Sequence, residues 1–291
     1  MGWLLLAMLG AAPALAACPP DGQSRESLQA LKVLKFTVPD AAERQALAIG
    51  LLDCLGDPDS ALRDGIAYEA LTQWLRAGDF DADALRVLRD RLQAMLGEDD
   101  ADGFRKPFAA LVLSEVARTD RIAPWMTPVE RAAMVDHAAA YVESVSDYRG
   151  FDDKEGWRHG VAHGSDWLMQ LAMSPALERA QTDRILAAIA VQAVPESAHA
   201  YVFGEPGRLA RPLLYIAKRD LYSDADWQAW FAALPPKLGD ADKAYNDGAW
   251  LARRHDLMAF LMSLYLEADQ GDDAQVKQLK PAIVAALKQV P

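Results

Sequence analysis

Basic residues are in short supply. Thirty Lys and Arg stand against 42 Asp and Glu, for a net charge of −12. No Lys/Arg cluster interrupts that acidity along the chain, which argues against nucleic acid and anionic membrane surfaces as partners. Cysteine is nearly missing, with two in 291 residues, so a disulfide-dense scaffold is excluded. β-Branched residues are sparse and no segment alternates with period two, so strands are not expected. Glycine numbers 18 without a repeating period, and no heptad persists, which removes collagen-like and coiled-coil classes. There is no glycine-rich phosphate loop, no serine-centred elbow and no Cys–His dyad.

What remains is a globular composition, 52% hydrophobic and 25% charged. A 31.8 kDa chain can bury a full core in one large domain or two small ones. One domain is expected over residues 17–291, preceded by a signal peptide over 1–16. Leu4 to Ala12 form a short apolar stretch, Pro13 breaks it, and Ala14-x-Ala16 supplies the small residues of a cleavage site before Ala17. The stretch is too short to span a bilayer, and no transmembrane segment is expected after its removal.

Cys18 has two competing readings. An exported chain with two cysteines commonly pairs them, and a Cys18–Cys54 bridge would contribute about 3–4 kcal/mol. Alternatively, Leu15-Ala16-Ala17-Cys18 fits a lipobox, and Cys18 would anchor the protein through lipid. The disulfide and a periplasmic location are the preferred reading.

Helix signals fill the rest. Asp40 with Glu43 and Thr127-Pro128 with Glu130 are capping boxes. Asp57-Pro58, Asp81, Thr182-Asp183 and Ser223 with Asp226 mark further starts, while Gly78 and Gly97 mark ends. About twelve helices on short loops pair into six hairpins roughly every 45 residues. That is the spacing of an α-solenoid, so the fold class is all-α. Residues 51–75 resemble a HEAT repeat, with Asp57-Pro58 between two helices and Arg63 on the second. A closed α/α toroid fits the same helix count and is the alternative.

One segment carries chemistry: residues 148–173, with a helix expected over 154–173. His159, His163 and Asp166 fall within about 60° of one another on that helix, and Gln170 continues the line. The remaining circumference is small or apolar, so the helix should be buried and its polar stripe must meet polar partners or a pocket. Three roles compete. The stripe can lock helices together, line a ligand or acid–base pocket, or hold a divalent metal on His159, His163 and Asp166. No cofactor is implied, and metal is the least favoured role. Trp157 and Trp167 could wall a pocket beside the stripe. Glu205, Arg208 and Arg211 read as inter-helix ion pairs, with an anion-binding rim as the alternative. His199 reads as solvated, and the acidic run Glu98-Asp99-Asp100 as a solvated turn.

Arg149-Gly150 followed by GWRHGVAHGSDWLMQLA resembles the signature of a bacterial domain-of-unknown-function family, number 2785. Glu205, Arg208-Leu209-Ala210 and Leu214-Tyr215 resemble its second block. Asn246 and Phe260 to Tyr265 resemble its third, with Met262 where an Arg is expected. The resemblance spans about residues 100–270. It implies an all-helical, HEAT-like fold and no particular reaction. The function expected is a binding or scaffold module for a protein or small-molecule ligand, with Arg149, Trp157, His159, His163, Asp166, Gln170, Glu205 and Arg208 as contact residues. A hydrolase or other enzyme using His159, His163 and Asp166 is the rival.

Overall fold

The computed structural model describes residues 18–244 and 246–291. The expected signal peptide lies outside them. Helix starts follow side chains that accept otherwise orphaned backbone N–H groups. Ser24 caps α1 (Arg25–Val33) and Asp40 caps α2 (Ala41–Leu51). A helical run then comprises α3 (Ser60–Leu62), a π-helical turn (Arg63–Tyr68) and α4 (Glu69–Ala77), and it ends on left-handed Gly78. Asp81 caps α5 (Ala82–Met95). Asp100 does more than solvate a turn: its carboxylate accepts from the N–H groups of Gly103, Phe104, Arg105 and Lys106 at 2.8–3.2 Å and starts α6 (Arg105–Ile122). The Thr127/Glu130 capping box opens α7 (Pro128–Ser144).

The next segment departs from the expected helix 154–173. Its first part is a small antiparallel hairpin, β1 (Phe151–Asp152) and β2 (Gly156–Trp157), pairing Phe151 with Trp157. Asp152 accepts from the N–H groups of Lys154 and Glu155, and Gly156 takes φ +80, a conformation that turns the chain back. Two-residue strands are too short to show alternation, which is why periodicity did not reveal them. Then come α8 (Gly160–Ala172), α9 (Arg179–Gln192) and α10 (Glu205–Ala217). After these, Ser223 caps α11 (Asp224–Ala232) and Asp247 caps α12 (Gly248–Gln270). α13 (Ala274–Gln278) is followed by α14 (Lys280–Leu287), whose first turn contains Pro281.

Among the described residues the fold is all-α apart from that hairpin. α4, α6, α8, α10 and α12 lie in succession, each packed on the next. Outside them, α5 packs on α6, α7 on α8 and α9, α9 on α10, and α14 on α12. α8 is the most enclosed member, with eleven of its thirteen residues buried, as its apolar circumference requires. Close approach to α7 depends on Gly164: a Cβ there would sit 2.7 Å from Val142 Cγ2 and 2.9 Å from the Tyr141 ring. Cys18 and Cys54 form a disulfide, with Cα atoms 5.0 Å apart.

Arg63, on the HEAT-like segment, is fully buried. It donates to the carbonyls of Asp57 (2.9 Å), Pro58 (3.2 Å) and Glu155 (2.6 Å) and to Asp64 Oδ2 (2.9 Å). Its guanidinium also lies 4.0 Å from the centre of the Phe104 ring, and Arg158 lies 4.1 Å from the same ring. One fork thus ties the start of the π-helical turn to the hairpin that introduces α8.

Candidate functional site

His159 precedes α8 rather than lying within it. Its backbone is left-handed, φ 57 and ψ 44, a conformation that costs a non-glycine residue about 1–2 kcal/mol. Surrounding contacts hold it there. Its N–H donates to the Arg149 carbonyl at 3.1 Å, its own carbonyl accepts from His163 N–H at 3.0 Å, and the Trp157 ring stacks on its imidazole at 4.7 Å. The expected i, i+4 relation to His163 survives because the helix begins at the next residue.

The rings form a file from surface to core. Trp157 is 39% exposed. Behind it come His159, then His163 at 5.8 Å between centres, then Phe108 at 5.2 Å from His163. Both imidazoles are buried. His159 Nε2 and His163 Nδ1 have no hydrogen-bond partner among the described residues. The closest carboxylate oxygen to His159 Nε2 is Glu205 Oε1, at 3.7 Å. Glu205 is the first residue of α10, and its other oxygen accepts from Phe203 N–H at 2.9 Å.

Burial pushes His159 down to about 4, with the nearby positive charge of Arg208 acting in the same direction and the Phe203 carbonyl opposing. His163 is lowered to about 3, chiefly by burial, then by His159 and Arg208. Both rings are therefore neutral at neutral pH.

Further along α8 the stripe is occupied. Asp166 accepts from Arg208 through both carboxylate oxygens, Nε to Oδ1 at 2.8 Å. Gln170 Oε1 accepts from Arg121 Nε at 3.2 Å. α8 thus offers its acceptors to α10 on one side and α6 on the other. Among the described residues, no three His, Cys, Asp or Glu side chains gather as a metal-binding group.

The candidates divide accordingly. Trp157, His159, His163, Glu205, Asp166, Arg208 and Gln170 share this face. Arg149 contributes its carbonyl to His159, but its side chain is half exposed and pairs with Asp147. Trp167 is fully buried, with its indole N–H unpartnered among the described residues. His199 is not simply solvated: it stacks on Tyr148 at 5.6 Å, and its Nε2 is buried without a partner among the described residues. Sequence reasoning missed Phe203, which packs edge-on to Trp157 at 5.9 Å. It also missed Asp256 on α12, fully buried and accepting from Tyr201 N–H at 2.7 Å. Neither carries a local signal, because their partners are distant in sequence.

The profile of a protein family of unknown function, DUF2785, matches residues 92–266. The chain belongs to this family. The DUF2785 match takes in α6 through most of α12, and therefore every residue of the ring file and both arginines that reach α8. No curated protein and no solved structure matches the chain.

Proposed function

We propose that this DUF2785 protein is an α-solenoid binding module whose ligand pocket lies at the outer end of the ring file, between Trp157, His159 and Glu205. The solenoid reading draws support from the serial packing of α4, α6, α8, α10 and α12, with α5, α7 and α9 behind them. The observation that carries the pocket is the pair of buried imidazole nitrogens, His159 Nε2 and His163 Nδ1, without partners among the described residues. A buried polar atom left unpaired is unfavourable by about 1–3 kcal/mol, and a ligand group or water held against His159 Nε2 relieves it. Trp157 adds an exposed aromatic face beside that atom.

A thermal-shift screen of saccharides, organic acids and short peptides against the full chain tests this. Expected are compounds that raise the melting temperature of the wild type but not of His159→Gln or Trp157→Ala. Shifts that persist in both variants, or no shift with any class, count against the pocket.

The second reading is enzymatic. A neutral His159 beside Glu205 has the make-up of a general base. Ester or amide hydrolysis that disappears in His159→Gln would carry it.

The working compartment proposed is an oxidising one, the periplasm, supported by the Cys18–Cys54 bridge. Cys18 then has no free sulfur for lipid. No described helix is long and apolar enough to cross a membrane. The mature protein should begin at Ala17 and weigh two hydrogens less than its reduced form. A diacylglycerol mass on Cys18 would replace this with membrane anchoring.

A further inference from the structure

The sequence has no basic cluster, yet the fold sends arginines to α8 from two neighbouring helices. Asp166 and Gln170 are one turn apart on α8, about 6 Å along its axis. Each receives an arginine from a different neighbour, Arg208 from α10 and Arg121 from α6. Each of those arginines has a second one a turn away on its own helix, Arg211 and Arg118. The two nearby carboxylates are already engaged, Asp166 with Arg208 and Glu115 with Arg76. Arg118, Arg121 and Arg211 make no ion pair with any described residue, in a chain that carries twelve more acidic than basic groups.

The crowding is felt by the groups themselves. Burial and then the neighbouring Arg118 lower Arg121, and burial and then Arg211 lower Arg208. Neighbouring like charges with fewer counter-charges than guanidinium groups favour an anion that joins them. Guanidinium forks match the paired oxygens of carboxylate and phosphate.

We propose that Arg118, Arg121, Arg208 and Arg211 form an oxyanion-binding strip across α6, α8 and α10, seating the phosphate or carboxylate groups of a small polyanionic ligand. This deepens the binding reading above: Arg208 also stands close enough to His159 to lower its proton affinity, so one ligand can span strip and pocket. Long polyanions such as nucleic acid are disfavoured by the net charge of −12.

The test is titration of the full chain with inorganic phosphate and with citrate, followed by calorimetry and melting temperature, against sodium chloride at matched ionic strength. Saturable binding of at least one is expected. Arg121→Gln and Arg211→Gln should each weaken it about tenfold, the range for losing a hydrogen bond to a charged group, with unchanged helical circular dichroism. No saturable binding of either ion, or binding that both arginine variants retain, overturns the strip. If neutral compounds bind the pocket while phosphate and citrate do not, the binding reading stands and the anionic ligand falls. Arg118→Gln provides a third variant, outside the contacts to α8, should either of the others fail to fold.

Discussion

The guanidinium of Arg208 on α10 meets the carboxylate of Asp166 on α8 side-on, Nε to Oδ1 at 2.8 Å, with Nη2 on the second oxygen. The pair ties the first turn of α10 to the middle of α8. Asp166 is 12% and Arg208 30% exposed at the side chain, so the pair is only partly screened by solvent. Asp166→Ala should destabilise the protein by about 2 kcal/mol, less than the 3–5 kcal/mol of a fully buried pair. Urea titration of Asp166→Ala, Arg208→Ala and the double variant measures the coupling. Additive single effects would mean that the two side chains do not act together.

Arg63 has no solvent outlet. Its charge is compensated by three carbonyls, Asp64 and two aromatic faces. Arg63→Ala leaves those carbonyls unpaired beneath the hairpin and should lower stability by about 3–5 kcal/mol. Arg63→Lys should recover little, because one ammonium cannot reach the Asp57, Pro58 and Glu155 carbonyls at once. Full recovery by lysine would show that charge alone matters at this position.

The two histidines set a pH dependence with a definite sign. His159 is held at about 4 and His163 at about 3, against about 6.5 in an unfolded chain. Between these values the unfolded chain binds protons that the folded one refuses, so stability falls as pH drops below 6.5 and continues to fall toward 3. Asp256 runs the other way. Burial pushes its carboxyl up to about 6, against about 3.9 unfolded, so stability is lost as pH rises through 6. Urea midpoints measured from pH 3.5 to 8 should show both effects. His159→Gln should flatten the acid limb, and Asp256→Asn should remove the loss near pH 6. Variants that track the wild type at every pH would show that these groups are not the ones responsible.

Much of this was legible in the sequence, and the reasons are local. Asp40, Asp81, Thr127 with Glu130, and Ser223 with Asp226 all cap the helices they announce, because a cap needs only three or four consecutive residues. The buried nature of α8 followed from its composition. The hairpin before it did not: two paired residues leave no periodicity, and only Asp152 and Gly156 hint at the turn. Of the proposed arginine strip, the sequence pointed to Arg208 and Arg211 as an anion-binding rim, but not to Arg118 and Arg121. Arg121 and Arg208 are 87 positions apart in the sequence and are linked only through Gln170 and Asp166 of α8.

Two glycines separate close packing from mere helix propensity. Gly164 on α8 lies where any Cβ would press on Val142 and Tyr141 of α7, at 2.7 and 2.9 Å. Gly207 on α10 is open: the nearest atom to a Cβ there is Ser263 Oγ at 3.9 Å. Alanine favours a helix interior by up to about 1 kcal/mol over glycine. Gly207→Ala should therefore stabilise the protein by a few tenths to about 1 kcal/mol. Gly164→Ala should destabilise it by about 1–3 kcal/mol, because α7 and α8 must separate and overpacking outweighs propensity. Thermal and urea unfolding of the two variants decide the matter side by side. Separation at Gly164 would also shift His163, one residue away, so its imidazole resonances should move in Gly164→Ala and stay in place in Gly207→Ala. A Gly164→Ala protein as stable as wild type, with those resonances unmoved, would mean that α7 and α8 are not held this closely in solution.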